Sequence, residues 1–286
     1  MKNQATVRVG PLTNIPHIVQ FLGYEPESIL AASGFEPEQF EDPDNRVSFL
    51  DASKLLARCV EVTQCRHFGL ILGKHANPSH LGIAGFLLSS APNVGSALAS
   101  LIKYLDLHDT GGMVTLTTTS NTTLFGYVIN ETQVEAAEQI YDLSMVIACK
   151  IMRSLCGEQW NPREVLLTHR KPGDLTPYKV FFQAPVRFNS QESALVFDKG
   201  WLSHEITSAD PLLQRHLQKE ADELHEAQPK DFIYMLQQLL RHSLANQQLT
   251  AADIARQLGI HERTLHRRLQ THGTSFSHEL EQTRFA

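Results

Sequence analysis

The segment LTAADIARQLGIHERTLHRRLQ, residues 249–270, constrains the fold more than any other stretch of the chain. Apolar residues follow a helical spacing on both sides of Gly259, a residue type that permits a sharp turn. Thr250 and Asp253 stand three positions apart, which is the arrangement of a capping box with Asp in place of the usual Glu. The segment therefore predicts two short helices joined by a tight turn, with Leu265 filling the angle between them.

The second of these helices has one apolar side and one basic side. At 100° per residue, Leu265 and Leu269 share the buried side, while Arg263 and Arg267 point almost directly away from it. Like charges four positions apart destabilise an isolated helix slightly, and an anionic partner reverses that effect. The major groove of DNA provides such a partner, because arginine can bind guanine bidentately there. A solvated basic face on an ordinary helical hairpin is the alternative interpretation.

Charge is unevenly distributed along the chain. The 286 residues have a formal net charge of −6, with −7 in residues 1–250 and +1 in residues 251–286. Arg263, Arg267 and Arg268 lie close together in the last segment, and such clustering matters more to an anionic partner than the sum. A chain of this length fits one large and one smaller domain, which we predict as residues 1–226 and 227–286.

No targeting or membrane segment is expected. The N-terminal sequence MKNQATVRVGPLTN lacks an apolar core and a cleavage pattern, so it does not resemble a secretory signal. The most apolar stretch, Ile140–Met152, is too short to span a bilayer and contains Lys150. The sequence predicts a soluble cytoplasmic protein with no membrane partner.

The first hundred residues are predicted to be mainly helical. One helix is expected over residues 48–62, capped by Asp51 or Ser53. Two further helices are expected over residues 67–108, in a region broken at Asn77-Pro78 and at Ala91-Pro92. The apolar spacing changes to that of strands only after this region.

Strands and helices then follow in separate clusters. Met113–Thr119 and Thr123–Ile129 are rich in β-branched and aromatic residues and predict a hairpin. A long apolar helix is expected over residues 133–156, and another helix from Asp210-Pro211 to about Glu226. Short strands are expected at Val165–Thr168, Val186–Phe188 and Leu195–Phe197. The polar segment 225–231 is the expected linker. The fold class is therefore α+β: a large N-terminal domain of mixed helices and antiparallel strands, followed by a small all-α helix-turn-helix segment.

Patterns typical of enzymes and metal sites do not occur in the sequence. There is no HExxH, GxSxG, GxxxxGK[ST] or GxGxxG motif, and His75 and His80 flank Asn77-Pro78 without further metal ligands nearby. The cysteines form no CxxC pair and are expected to be reduced thiols. They are Cys59, Cys65, Cys149 and Cys156. Catalysis, a cofactor and a metal site are not expected.

Three segments resemble one known family. LGIHERTLHRRLQTHGTSF, residues 258–276, resembles the first helix-turn-helix of AraC/XylS-family transcription regulators. Residues 67–107 and 175–198 resemble the branch with an arabinose-binding-type N-terminal regulatory domain. The resemblance implies an N-terminal domain that senses a small-molecule effector and forms homodimers, a C-terminal domain that binds double-stranded promoter DNA, and RNA polymerase as a further partner. It does not identify the effector or the residues of its pocket.

The resemblance also implies a set of DNA-binding residues on the second helix. They are His261, Glu262, Arg263, Thr264, His266 and Arg267. His261 stands where the family usually has serine, a better helix cap. The family's DNA-binding domain has a second helix-turn-helix after a linker helix, and TSFSHELEQTRFA contains only the start of that linker. We therefore expect weak DNA binding. The alternative is an effector-binding and dimerisation module that does not bind DNA productively.

Overall fold

The computed structural model describes residues 4–227, 236, 239–240, 250–258 and 260–285. The chain forms two compact units, Lys2–His225 and Glu226–Ala286. Within the described ranges, no helix is both long and apolar enough to cross a membrane.

The larger unit combines nine α-helices among its described residues with two sheets. The helices are α1 (Ile15–Phe21), α2 (Pro26–Ala32), α3 (Phe49–Thr63), α4 (Phe68–His75), α5 (Ile83–Ser90), α6 (Val94–Tyr104), α7 (Ala137–Cys156), α8 (Thr176–Phe182) and α9 (Pro211–Ala227). The strands are β1 (Thr6–Arg8), β2 (Arg46–Ser48), β3 (Gly112–Thr118), β4 (Thr122–Ile129), β5 (Glu164–Leu166), β6 (Val186–Arg187) and β7 (Ser193–Asp198).

The main sheet confirms the predicted hairpin and the α+β class. Strands β3 and β4 pair antiparallel, from Gly112 opposite Ile129 to Thr118 opposite Thr123. The strand order is β3-β4-β7-β5-β6, and only the β5–β6 pair is parallel. Strands β1 and β2 form a separate antiparallel pair. The β-branched and aromatic residues of β4 suit a pleated sheet with one face on the core, where Phe125 and Tyr127 are buried.

Helix α7 is the most deeply buried long helix of the described residues. Twelve of its 20 residues are buried, including Val146, Cys149 and Met152. It begins at Ala137 and not at Gln133 as predicted, because Gln133 and Ala136 both have left-handed backbone conformations that interrupt a helix.

Helix α4 approaches α7 closely because it carries glycine at the contact. A Cβ atom on Gly69 would lie 2.0 Å from the carbonyl oxygen of Gln139 on α7. The buried Gln139 side chain bridges this crossing with two hydrogen bonds: its Oε1 accepts from the Gly69 N–H at 2.8 Å, and its Nε2 donates to the Arg66 carbonyl at 2.9 Å. A side chain in place of Gly69 would therefore separate the two helices.

Two predictions for the helical N-terminal part are wrong in detail. Helix α3 is capped by Ser48, whose Oγ accepts from the Asp51 N–H at 3.2 Å, because the helix follows directly after β2. Residues 67–108 contain three α-helices where two were expected. A 3-10 helix at residues 78–81 and the positive φ of Gly82 separate α4 from α5, and Asn93 caps α6 after the Ala91-Pro92 break.

Helix α9 confirms the predicted start but not the predicted linker. Asp210 Oδ1 accepts from the N–H groups of Leu212 and Leu213, at 2.9 and 3.0 Å, and so caps the helix. The helix continues to Ala227, so residues 225–227 are helical and not linker, while residues 228–231 lie outside the described residues.

The smaller unit contains α10 (Ala251–Gln257), α11 (Glu262–Thr271) and α12 (Phe276–Phe285) in its described part. Its core is apolar and draws residues from each of these helices and from the preceding segment. Its buried members are Leu236, Leu240, Ile254, Ala255, Leu265, Leu269 and Phe276. The helix predicted over residues 231–244 lies mostly outside the described residues, and Gly259 also lies outside them.

We expect Gly69→Ala to destabilise the protein. Alanine is the better helix former by about 1 kcal/mol, but its methyl group would collide with the α7 backbone at Gln139. Overpacking of this kind costs about 1–3 kcal/mol. Urea unfolding of the two proteins measures the difference. Gly173→Ala is the matched control, since no atom lies within 4 Å of the added carbon. Equal or greater stability of Gly69→Ala would show that α4 and α7 are not packed as described.

Candidate DNA-binding helix and effector cavity

The first helix of the helix-turn-helix begins with the predicted capping box. The Asp253 N–H donates to Thr250 Oγ1 at 3.2 Å, and the Thr250 N–H donates to Asp253 Oδ2 at 3.3 Å. These two bonds satisfy N–H groups that would otherwise lack partners at the helix start. The box fixes where α10 begins, and Ile254 and Ala255 are then buried as expected.

Helix α11 is anchored by its apolar side. Leu265 and Leu269 are buried, and the Ile260 N–H donates to the Ala255 carbonyl at 2.9 Å across the turn between α10 and α11. His261 occupies the N-cap position with an extended backbone, but its side chain makes no capping hydrogen bond. Helix α11 therefore depends on burial of its leucines more than on its cap.

The six sequence-predicted DNA-binding residues lie together along α11 and its N-terminus. All of them are exposed except Thr264, which is half-buried. Glu262 and His266 approach each other at 3.6 Å. Within the described residues, neither the Arg263 nor the Arg267 guanidinium has an ion-pair partner. The outward face of α11 thus presents two cationic groups one helical turn apart to solvent.

A structured segment follows α11 and was predicted only as the start of a linker helix. Gly273 has a φ of 70°, which ends α11. The Ser275 Oγ caps α12 by accepting from the His278 N–H at 3.2 Å, and the Thr274 hydroxyl donates to Glu279 Oε1 at 2.6 Å. Phe276 completes the core beneath α11. These contacts support the position of α11 from its C-terminal end.

The larger unit holds a cavity of about 90 Å³ that the sequence did not locate. Its wall is mostly apolar and is formed by α3, α7, the inner face of β3 and β4, and the segment 105–109 after α6. Residues on its apolar wall include Leu56, Leu101, Val114, Phe125, Leu143 and Ala148. These residues are distant in sequence and individually ordinary core residues, so no local pattern marks them.

One end of the cavity is polar. Arg8, His108, Asp109 and Tyr127 line it, and the Tyr127 hydroxyl donates to Asp109 Oδ2. Asp109 Oδ1 accepts from the Gly111 N–H at 2.7 Å. By contrast, Arg8 Nε and His108 Nδ1 are buried without a hydrogen-bond partner among the described residues. Buried polar atoms without partners are rare in folded proteins, and a molecule bound in the cavity would satisfy these two.

Burial strongly shifts the pKa values of Asp109 and His108 at the polar end of the cavity. Desolvation raises the pKa of Asp109 to about 6, although hydrogen bonds from Tyr127 and backbone N–H groups and the charge of Arg46 oppose the shift. Desolvation lowers the pKa of His108 to about 3, and the positive charges of Arg8 and Arg46 lower it further. At neutral pH, His108 is therefore neutral and Asp109 is mainly ionised.

A second buried carboxylate serves the fold. Asp142 on α7 accepts from the Tyr178 hydroxyl at 2.5 Å through Oδ2, and its Oδ1 lies 3.0 Å from His169 Nε2. Burial opposes protonation of His169, but the hydrogen bond and charge of Asp142 raise its pKa overall. This cluster ties α7 to α8 and to the segment after β5.

The cysteines fit the expected reduced core thiols. All four are free, and Cys59 and Cys149 are buried. Desolvation raises the pKa of Cys59 to about 12 and that of Cys149 to about 11. Because the thiolate is the reactive form, burial leaves these two cysteines inert at neutral pH.

Comparison with known proteins gives consistent relatives. Residues 23–206 match the family described as the arabinose-binding domain of AraC transcription regulators, N-terminal. The HTH-type transcriptional regulator VirS of Mycobacterium tuberculosis is 26% identical over 275 residues, which cover 96% of this chain and 81% of that protein. The ornithine utilization regulator of Pseudomonas aeruginosa is 24% identical over 279 residues, covering 93% of this chain and 79% of that protein.

A solved structure supports the fold. The transcriptional regulator CdpR from Pseudomonas aeruginosa superposes with a TM-score of 0.53 at 22% sequence identity, covering 90% of this chain and 81% of that chain. The fold and the relatives define a class, the helix-turn-helix transcription regulators with an N-terminal effector domain. The chain belongs to the AraC family, in the branch with an arabinose-binding-type domain, as its sequence resemblance predicted. This family consists of regulators and not of enzymes.

We expect the protein to lose stability as the pH falls below about 6.5, and His108 to be a main cause. Between its folded pKa of about 3 and the ordinary value of 6.5, His108 is protonated only in the unfolded state, so acid favours unfolding. Asp109 opposes this loss between about pH 6 and 4, because its folded pKa is raised. The His108 shift is the larger of the two.

Urea unfolding between pH 7.5 and 5.5 tests this expectation. His108→Gln should lose about 1 kcal/mol less than the wild type over this range, and Asp109→Asn should lose more than the wild type. Identical pH dependence in the wild type and His108→Gln would contradict the burial of a neutral imidazole at this position.

Proposed function

We propose that the chain is an effector-responsive, sequence-specific DNA-binding transcription regulator whose α11 enters the major groove of promoter DNA. The outward face of α11, with Arg263 and Arg267 exposed and without ion-pair partners in the described part of the chain, is the observation that supports it most directly. An uncompensated cationic pair on a rigid helix suits contacts to guanine edges and phosphates.

The remaining residues of the set take complementary roles in this proposal. Thr264 and His266 flank the arginines on opposite sides of the helix and suit contacts to bases or phosphates. His261 and Glu262 stand at the helix N-terminus, where backbone N–H groups point outward toward a phosphate. In this proposal Arg263 and Arg267 make the central contacts to DNA, and the other four residues contact it from the sides and the N-terminus of the same helix.

The proposal assigns residues 1–226 to effector sensing and residues 227–286 to DNA contact. The cavity at Arg8 and His108 is the proposed effector site, since it combines an apolar wall with unpartnered buried polar atoms. RNA polymerase and a second copy of the chain are the proposed protein partners, in line with the family. An effector-binding and dimerisation module without productive DNA binding is the competing proposal.

The larger unit offers a short path from the cavity to its last helix. The 3-10 helix at residues 105–107 immediately precedes His108 and Asp109. On its other side, Asp106 Oδ2 lies 2.9 Å from His225 Nδ1, near the end of α9. One turn earlier, Asp222 accepts from Lys103 Nζ and from the Tyr104 hydroxyl, both at 2.7 Å. We infer that a ligand at His108 and Asp109 changes these α9 contacts through the segment 105–109.

We expect Arg267→Ala to weaken DNA binding without destabilising the protein. Gel-shift titrations of the full chain use a duplex that the wild type has selected from a random-sequence pool, across a series of salt concentrations. Removal of one phosphate-neutralising charge should reduce the slope of log K against log salt by about 1. The free energy of unfolding should change by less than about 0.5 kcal/mol, because the side chain is exposed.

Two variants serve as controls. Arg58→Ala removes an exposed arginine from α3 of the larger unit and should leave both the affinity and the salt slope unchanged. Leu265→Ala should destabilise the smaller unit by about 2–5 kcal/mol, as for other buried leucines. If the wild type selects no duplex and shows no salt-dependent retention, DNA binding by this chain is excluded and the competing module is favoured.

The path to α9 predicts a response to a change at the cavity. Tyr127→Phe removes the hydroxyl that donates to Asp109 and should loosen the segment 105–111. Hydrogen exchange should then also accelerate at residues 222–227 of α9, several-fold, because Asp106 contacts His225 there. In an Asp106→Asn background, Tyr127→Phe should have no additional effect on α9.

Tyr178→Phe is the matched control for this experiment. It also removes a buried tyrosine–aspartate hydrogen bond, but the partner is Asp142 on α7. Its exchange changes should stay near α7 and α8 and leave residues 222–227 unaltered. If Tyr127→Phe and Tyr178→Phe affect α9 equally, the segment 105–109 does not form a specific path.

A further inference from the structure

We infer that the effector is a small aliphatic carboxylate, bound with its carboxylate group at Arg8 and His108 and its short tail among the leucines of the cavity. This inference rests on the proposed function only in taking the cavity as the effector site. It adds the chemical class of the ligand.

One of the two unpartnered polar atoms, Arg8 Nε, requires an acceptor. Arg8 Nε carries a hydrogen that can only be donated, and it is buried without an acceptor among the described residues. The other end of this guanidinium pairs with Asp44. The guanidinium lies close to Gly82, where a Cβ atom would be only 2.7 Å from Arg8 Cζ, so there is little room for it to move toward that side. Arg8 is therefore a fixed donor at the polar end of the cavity.

His108 supplies the second contact. His108 is 5% exposed, and its Nδ1 atom has no hydrogen-bond partner among the described residues. As the neutral tautomer with hydrogen on Nδ1, it can donate to a second ligand oxygen. Two donors that lack acceptors at one end of a cavity match the two oxygens of a carboxylate.

The charged groups that influence the pKa of His108 are basic side chains. The named charged groups that act on His108 are Arg8, Arg46 and His80, and each of them disfavours its cationic form. Arg46 is already used in the fold, since its guanidinium donates to Leu107 O at 2.6 Å and to Thr6 Oγ1 at 3.0 Å. Asp109 is saturated by Tyr127 and backbone N–H groups. A ligand carboxylate at Arg8 and His108 can thus accept from both nitrogen atoms, whereas a ligand ammonium, which can only donate, cannot satisfy Arg8 Nε.

The wall and the volume define the rest of the ligand. Apart from its polar end, the cavity is lined mainly by leucine, isoleucine, valine, phenylalanine and alanine side chains, and two serines, Ser53 and Ser144, are also present. The Ser53 hydroxyl is already used by the fold, since it donates to the Leu50 carbonyl and accepts from the Glu135 N–H. A polyol would lose most of its hydrogen bonds to water in such a predominantly apolar wall. The volume of about 90 Å³ is also smaller than the roughly 150 Å³ cavity that takes up benzene in an engineered protein. A carboxylate with a tail of about one to three carbons, no larger than benzene as a whole, fits this space.

Isothermal titration calorimetry of the full chain tests the inference on the wild type. The probes are straight-chain carboxylates from acetate to octanoate, the alcohols of equal length, and arabinose. Affinity should rise about fourfold for each methylene up to propanoate or butanoate and then fall, because the cavity is filled. Each alcohol should bind at least tenfold more weakly than the acid of the same length. Alcohols that bind as tightly as the acids, or binding of arabinose alone, would overturn the inference.

Three variants locate the ligand. Arg8→Gln should weaken butanoate binding at least tenfold, while Arg58→Gln on the outer face of α3 should leave it within twofold. Ala148→Leu fills part of the apolar wall and should weaken butanoate more than acetate. Equal affinity of Arg8→Gln and the wild type would contradict the site. If Arg8→Gln does not fold, the comparison of acids with alcohols on the wild type decides the question.

The outcome is independent of DNA binding. Calorimetry needs no duplex, and the selection of a duplex needs no carboxylate. Failure of every carboxylate with intact DNA binding would refute only the ligand class. Carboxylate binding without any selected duplex would refute the proposed function of α11 and leave the ligand class supported.

Discussion

Burial of α7 is the constraint on which the larger unit depends. One side of this helix meets α4 at a distance that only glycine at position 69 permits. At that crossing, the buried Gln139 side chain forms hydrogen bonds with the Gly69 N–H and the Arg66 carbonyl. Another side faces the sheet and the cavity through Leu143 and Ala148. Because interiors are close-packed, the glycine contact fixes how closely α4 and α7 can approach each other.

The cavity and the polar cluster at its end depend on one short segment of chain. Residues 105–109 follow α6 directly. Within this segment, His108 and Asp109 line the cavity, and Asp106 lies against His225 of α9. Desolvation disfavours the charged form of both residues. It lowers the pKa of His108 to about 3, so the imidazole is neutral at neutral pH, and it raises the pKa of Asp109 to about 6, so the carboxyl is still mainly ionised despite the shift. The cavity therefore has an apolar wall and one polar end.

Local sequence patterns predicted most of the helices and strands, and they located the candidate DNA-binding helix but not the cavity. The β3–β4 hairpin, the Asp210 cap of α9 and the Thr250–Asp253 capping box each depend on residues within a few positions, so their signals are local. The start of α7 was missed because the left-handed conformations at 133 and 136 belong to residue types without that preference. The cavity was missed because its wall joins α3, α7 and β4, whose apolar residues look like any core in sequence.

The two units differ in how their functional residues are encoded. On α11, the helical period alone places Leu265 inside and Arg263 outside, so a candidate DNA-binding face follows from the sequence without tertiary information. In the larger unit, Arg8 on β1 and His108 after α6 meet only because β1 pairs alongside the segment 105–109, with the Arg8 N–H donating to the His108 carbonyl at 2.9 Å. That backbone contact brings together the two residues whose buried nitrogen atoms lack partners among the described residues. The proposed effector site therefore depends on the tertiary fold, whereas the candidate DNA-binding face depends on one helix.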